Sequence, residues 1–237
     1  MKKIVVLSGA GMSADSGINT FRDSGGLWEG HDVMEVASPQ GFRRNPTLVL
    51  DFYNKRRQQL FEVVPNAGHR VLAALEAHFT MHIVTQNVDD LHERAGSTRV
   101  LHLHGELLKA RSTGPQQTVY PWKKDIGPGD RCADGYPLRP DIVWFGEAVP
   151  LLETAADLVM QADILLVVGT SLQVYPAAGL LGYKKYGVPI YLIDPNPSLS
   201  AGDMDNLTIL AERAATGLPI LANQLVDTWH GSDSPNP

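Results

Sequence analysis

The stretch "KKIVVLSGAGMSA" (2–14) constrains this chain more than any other. Residues 2–8 form a continuous apolar, β-branched run, the pattern of a strand buried on both faces of a parallel sheet. The run stops at Gly9 and enters "GAGMSADSGINTFRDSGG" (9–26), where five glycines permit sharp turns and a close approach to the backbone. "GAGMSA" also fits G-x-G-x-x-A directly after a strand, which places backbone amides where a pyrophosphate can sit. The dehydrogenase pattern then breaks, because Ala14 is followed by neither a long amphipathic helix nor a second strand ending in an acid. A polar loop, "DSGINTFRDSGGLW", comes instead, so the motif points to a nucleotide without favouring hydride transfer.

Three further runs read as buried strands: "HFTMHIVTQN" (78–87), "ADILLVVGTS" (162–171) and "VPIYLIDPN" (188–196). Each ends in polar or glycine residues, so each delivers chemistry at the carboxyl end of a strand. Helical spacing appears between them at 45–64, 66–78 and 151–162, with Asn45-Pro46 and Pro65-Asn66 as helix starts. Alternating strands and helices predict an open α/β sheet. Residues 106–138 mix Pro, Gly and charge without a sustained period and read as a loop-rich insertion or small subdomain.

The 237 residues are enough for one domain with a small insertion. We expect a single catalytic domain over 1–228, its small part built from 106–138 and some of 25–65, and a flexible tail over 229–237. A net charge of −6 argues against general affinity for nucleic acid or an anionic membrane, and "NKRRQQ" is the one compact basic cluster. No run reaches membrane-spanning length, and the apolar stretch in "MKKIVVLSGAG" is shorter than a signal peptide requires. Cys132 is the single cysteine, which excludes an intrachain disulfide and makes the cytoplasm the default compartment.

"GAGMSADSGINTFRD" resembles the signature of the sirtuins, NAD-dependent protein-lysine deacylases. Four more of their motifs follow in order: "TQNVDDLHERAG" (85–96), "LHGE" (103–106), "RPDIVWFGE" (139–147) and "GTSLQVYPAA" (169–178). The resemblance spans roughly residues 4–220 and implies a Rossmann-like parallel α/β domain with a small insertion, NAD lying between them. It implies that the acyl oxygen of a modified lysine attacks the nicotinamide ribose, that nicotinamide leaves, and that O-acyl-ADP-ribose and free lysine are the products. Acyl-lysine proteins are then the partners and NAD is consumed. An ADP-ribosyltransferase or NAD hydrolase on the same scaffold, and a nucleotide-binding sensor without turnover, are the other classes.

Within this frame Gly9, Ala10, Gly11 and Ser13 leave room for the diphosphate, Arg22 suits a charge-assisted bond to it or to the nicotinamide ribose side, and Phe21 covers the ribose. Gln86, Asn87 and Asp89 offer two amides and one carboxylate, which suit ribose hydroxyls and a carboxamide better than phosphate. By resemblance, Gln86 holds ribose, Asn87 orders the reacting end and Asp89 receives the nicotinamide amide. His104, with an ordinary pKa of about 6.5, is the expected general base, and Gly105 leaves space beside it. His102 and His92 read as structural. Gly169, Thr170 and Ser171 repeat the small-residue logic at a strand end. Asp194, where the family usually has Asn, suits the adenine ribose, with Ala214 and Ala215 along the adenine.

Two features set this chain apart. Sirtuins commonly carry two C-x-x-C pairs for a structural zinc, whereas this chain has only Cys132 in that region. We therefore expect no zinc and a subdomain held by packing of Tyr120, Trp122 and Tyr136. Tyr53 and Arg56, three apart on an expected helix, match the Y-x-x-R pair of sirtuins that remove acidic acyl groups; Arg suits a succinyl or malonyl carboxylate and Tyr adds a neutral donor. Lys55 and Arg57 read as a solvated basic face. "VWFGE" and "QVYPAA" resemble the two strands between which the family pins the peptide, making Val143, Phe145, Gly146 and Val174 candidates for substrate contact.

Overall fold

The computed structural model describes residues 1–19, 27–28, 30–200 and 202–230. The four apolar runs are strands β1 (Lys3–Ser8), β4 (Thr80–Thr85), β9 (Ile164–Val168) and β10 (Ile190–Ile193). Between β1 and β4 lie a short hairpin, β2 (Leu27–Trp28) and β3 (His31–Asp32), and helices α1 (Val33–Val36), α2 (Pro39–Arg44), α3 (Pro46–Glu62) and α4 (Ala67–Ala74). After β4 come α5 (Leu91–Ala95), β5 (Val100–His102), β6 (Gly105–Ser112), β7 (Val119–Pro121), β8 (Leu138–Ile142) and α6 (Leu152–Met160). β11 (Leu207–Leu210) and α7 (Ala214–His230) close the described chain. Helix α7 therefore takes in Trp229 and His230, the first two residues of the expected tail; the rest of that tail lies outside the described residues.

Six strands form one parallel sheet in the order β11-β10-β9-β1-β4-β5. The register aligns Ser8 with both Thr85 and Val168, and Val168 with Ile193. The next residues, Gly9, Gln86, Gly169 and Asp194, therefore leave the sheet side by side at its carboxyl edge. Alternation along β1 sends Ile4 and Val6 to one face and Val5 and Leu7 to the other, and all four are buried. Leu72 of α4 and Leu218, Leu221 and Leu225 of α7 cover the first face; Ala155 and Val159 of α6 and Leu180 cover the second. Helices start where the sequence indicates: Asn45 Oδ1 accepts from Leu48 N at 3.1 Å, and Asn66 Oδ1 from Gly68 N at 2.9 Å. Among the described residues no helix is long and apolar enough to cross a membrane.

The segment 106–138 is more regular than its sequence indicates. β6 pairs with β7 on one side and β8 on the other to make a separate antiparallel sheet. A bulge between Glu106 and Ala110 interrupts the alternation, which is why no period of two is visible there. The sheet packs on α3 through Leu50, Ala110, Ile126 and Leu138, with Tyr120 and Trp122 against this cluster. Tyr136, expected to join them, is instead exposed. Its neighbour Asp134 gathers the local polar groups: Ser112 Oγ donates to Asp134 Oδ2 at 2.7 Å, Tyr136 N donates to Oδ1 at 3.1 Å, and the Cys132 thiol lies against the same carboxylate.

Polar groups also join α3 to this sheet. Asn54 Nδ2 donates to the Ile126 carbonyl (3.1 Å) and its Oδ1 accepts from Ile126 N (2.9 Å) and from Arg57 Nη1 (2.7 Å). Arg57 Nε donates to the Leu107 carbonyl at 2.8 Å. Arg57 is 1% exposed and burial lowers its pKa to about 10, so it is a structural cation rather than part of a solvated face. Beneath β1 a second buried pair joins α4 to α5. The rings of His69 and His92 meet edge to face at 4.9 Å, Asn66 N donates to His69 Nδ1, and Ser8 Oγ lies 3.2 Å from His92 Nε2. Burial, reinforced by Arg70, lowers the His69 pKa to about 4, and burial pushes His92 down as well.

Two stability predictions follow from these pairs. Arg57→Met leaves the Asn54 oxygen short of a donor and the Leu107 carbonyl unsatisfied, and should cost about 3 kcal/mol in urea unfolding. Both histidines are held neutral, so their contribution to stability should be constant above pH 6.5 and decline as the pH falls towards 4, by roughly 3 kcal/mol for His69 alone. Urea midpoints at pH 7, 5.5 and 4.5 measure it, and His69→Gln should flatten the slope.

Candidate active site

The loops leaving β1 and β9 touch each other at the floor of the site. Gly9 N donates to the Val168 carbonyl at 3.0 Å and Gly11 N to the Gly169 carbonyl at 2.8 Å. A Cβ on Gly11 would lie 2.7 Å from Gly169 Cα, and one on Gly169, whose φ is +59°, would lie 2.3 Å from Met12 N. What comes close to these glycines is first of all another strand end. Above them opens a cleft of about 630 Å³, within the range of small-molecule sites.

Ala10, Ser13, Gln86, Thr170, Ser171 and Asp194 line this cleft together with the three glycines, as the sequence indicates. Gln86 Nε2 donates to Thr170 Oγ1 at 3.2 Å, bridging β4 and β9 across the end of β1. Asp194 is 4% exposed, and its Oδ1 accepts from Asn196 N at 2.8 Å. Ala214 packs into the core beneath the sheet, and neither it nor Ala215 lines the cleft. The neighbour that does is Arg213, paired with Asp15 at 2.9 Å; as a surface charge before a helix, it carries no signal in the sequence. Phe21 and Arg22 lie outside the described residues.

The segment after β4 is held from two sides. Asn87 N donates to Thr85 Oγ1 (3.0 Å) and Asn87 Nδ2 to Ser13 Oγ (3.1 Å), while Ser13 Oγ donates to Asp89 Oδ2 (2.9 Å). Asp89 is nearly buried, and that burial raises its pKa despite the bonds from Ser13 and Leu91 N. His104 Nδ1 lies 3.1 Å from the Gln86 carbonyl. A carbonyl only accepts, so Nδ1 carries the proton and Nε2 of the neutral ring keeps its lone pair. Burial lowers the His104 pKa, which keeps that lone pair available at neutral pH. Gly105 is required for a different reason than expected: at φ +82° its Cβ would lie 1.9 Å from the Asp141 carbonyl, so the space belongs to β8 and not to a substrate.

Tyr53 and Arg56 share the face of α3 that meets the cleft. Both are nearly buried, and the Arg56 guanidinium stacks 4.3 Å above the Trp28 ring. Trp144 Nε1 donates to the Tyr53 hydroxyl at 3.0 Å, and burial raises the Tyr53 pKa far above physiological pH. Trp144 is itself held: the Arg139 guanidinium lies 3.4 Å from its ring centroid, and Glu147 pairs with Arg139 at 2.7 and 3.0 Å. The sequence gives no sign of this link, since nothing in "VWFGE" points to Tyr53. Val143, Phe145, Gly146 and Val174 all line the cleft, but 143–146 and 173–178 are turns and a 3-10 segment rather than strands.

Among the described residues no cluster of three or more His, Cys, Asp or Glu could hold a metal ion. For NAD the lining fits: small residues where two strands end, two amide side chains, two buried carboxylates, and a histidine whose burial favours the neutral ring.

The Sir2 family matches residues 9–176. A Helicobacter pylori (strain J99) protein named NAD-dependent protein deacylase is 57% identical over 227 residues, 96% of this chain and 97% of that one. Among solved structures, a Sir2 homologue in complex with NAD superposes with a TM-score of 0.86 at 38% identity, covering 96% of this chain and 90% of that one. A Sir2 protein bound to an acetylated peptide superposes with a TM-score of 0.77 at 26% identity, covering 98% and 94%. With the family model matching most of its length and a relative 57% identical across nearly all of it, the chain belongs to the Sir2 family.

Proposed function

We propose that this Sir2-family chain is an NAD-dependent protein-lysine deacylase with a preference for acyl groups that end in a carboxylate, succinyl and malonyl, and that residues 1–228 form its catalytic unit. The observation that carries the preference is the placement of Tyr53 and Arg56 in the wall of the cleft that also holds His104. The Tyr53 oxygen already accepts from Trp144, so its own O–H is left to donate, and its raised pKa keeps that proton in place. A carboxylate reaching this wall meets one neutral donor and one guanidinium fork, a pairing that desolvation strengthens. Acetyl offers neither partner a charge.

NAD, when bound, supplies the ribose carbon that accepts the acyl oxygen and releases nicotinamide. Small residues at Gly9, Ala10, Gly11 and Ser171 admit the diphosphate, and Asp194 accepts from the adenine ribose hydroxyls. Asn87 and Asp89, fixed through Ser13, receive the carboxamide end. His104 Nε2 takes the proton from a ribose hydroxyl, and the Gln86 carbonyl steadies the ring as it becomes charged. The small sheet needs no zinc in this reading, because the single thiol, Cys132, sits with Ser112 around Asp134.

Chelator-treated protein should deacylate succinyl-, acetyl- and long-chain-acyl-lysine peptides in that order of kcat/KM, with nicotinamide and O-acyl-ADP-ribose released one for one. Arg56→Met should lower kcat/KM for the succinyl peptide roughly a hundredfold, and far less for the acetyl peptide. Acetyl preference in the native protein would return Tyr53 and Arg56 to a packing role, and free ADP-ribose without deacylation would make the protein a hydrolase. The lowered His104 pKa places the acid limb of kcat/KM below pH 6.5, and His104→Ala should abolish turnover while NAD still binds.

A further inference from the structure

His102 ends β5 two residues before His104, and only 7% of its side chain is exposed. Nδ1 lies 3.1 Å from the Asn87 carbonyl and Nε2 lies 2.7 Å from Glu93 Oε1. Both partners are acceptors. A neutral imidazole has one N–H, so whichever tautomer it chose would set a ring lone pair against a carbonyl or a carboxylate oxygen. Only the doubly protonated ring satisfies both sides. The geometry points to His102 as a positioning residue: an imidazolium clamped between Glu93 of α5 and the Asn87 carbonyl, which fixes the Asn87–Asp89 segment of the cleft from behind.

The surroundings agree. Burial disfavours the charge, but the bond and the field of Glu93, the field of Glu106 on β6 and the Asn87 carbonyl outweigh it, and the pKa is raised. Glu93 is correspondingly lowered despite its own burial, with His102 as the chief partner and Lys109 behind it. Lys109 also pairs with Glu106, and His92 on α5 is kept neutral partly by the His102 charge. On the cleft side the same charge opposes the burial penalty on Asp89. Asn87 hangs from this anchor by its carbonyl and holds Ser13 by its side chain, and Ser13 holds Asp89. Two histidines on one short stretch are thereby driven into opposite states: His104 neutral toward the cleft, His102 charged toward α5.

The inference rests on the proposed NAD site but not on turnover, so its test is read without deacylation. In full-length protein carrying 15N-labelled histidine, one ring should titrate above pH 6.5, be absent in His102→Leu, and move below 6.5 in Glu93→Gln. The Gln amide can donate to Nε2, which preserves both hydrogen bonds without requiring the charge. By calorimetry, NAD should bind the native protein more weakly as the pH rises through that pKa. The dependence should vanish in Glu93→Gln, and His102→Leu should bind about tenfold more weakly throughout. A His102 ring that titrates at or below 6.5 in the native protein overturns the imidazolium. NAD affinity that is independent of pH in both native protein and Glu93→Gln overturns the positioning role, whether or not His102→Leu folds. Loss of deacylation with these readings intact would count against the deacylase reading alone.

Discussion

The contact on which the rest of this structure depends is the backbone-to-backbone approach of Gly9–Gly11 to Gly169–Thr170. Two neighbouring parallel strands end level, and the chains leaving them run so close that a methyl group at Gly11 or Gly169 would overlap main-chain atoms. Two amide hydrogen bonds, from Gly9 and Gly11, close the seam. Because these amides are satisfied by protein, the floor is rigid before any ligand arrives, and the segments from β4 and β10 can be hung from it at fixed heights. Gln86 does this directly by reaching across to Thr170.

Helix α3 plays the corresponding part on the other wall. Its neighbouring arginines have opposite duties. Arg57 turns away from the cleft and, with Asn54, supplies hydrogen bonds to backbone groups of the small sheet at Ile126 and Leu107. Arg56 turns toward the cleft and stacks on Trp28. A rotation of about 100° between consecutive helical residues is enough to separate a cation tied to the small sheet from one that faces the cleft. The same helix thus sets where the small sheet sits and which groups that sheet's neighbour, Trp144, can reach.

Charge in this protein is set by burial and local partners and not by net composition. The chain is acidic overall, yet the groups that matter are set one at a time: His104, His69 and His92 are driven neutral by desolvation, whereas His102 is driven the other way by two carboxylates. At position 134 a carboxylate collects donors from Ser112, Tyr136 and Cys132, which gives the small sheet a polar tie.

The sequence by itself determined the sheet and which residues stand at its carboxyl edge. Strand runs such as "IVVL" and "ILLVV" are apolar on both faces and can be stable only inside a parallel sheet, and the residues after them must then lie at its carboxyl edge. That reasoning reaches Gly9, Gln86, Gly169 and Asp194 because each is fixed by its distance from a strand end. It fails at Ala214, where the chain enters α7 and Arg213 takes the wall instead, and at β6, where a bulge hides the period. Only the tertiary structure decided that Gly105 makes way for Asp141, that Arg57 is buried while Arg56 faces the cleft, that Trp144 serves Tyr53, and that both ring nitrogens of His102 face acceptors. These are contacts between segments far apart in the chain, and local periodicity carries no information about which side chain a distant backbone atom will meet.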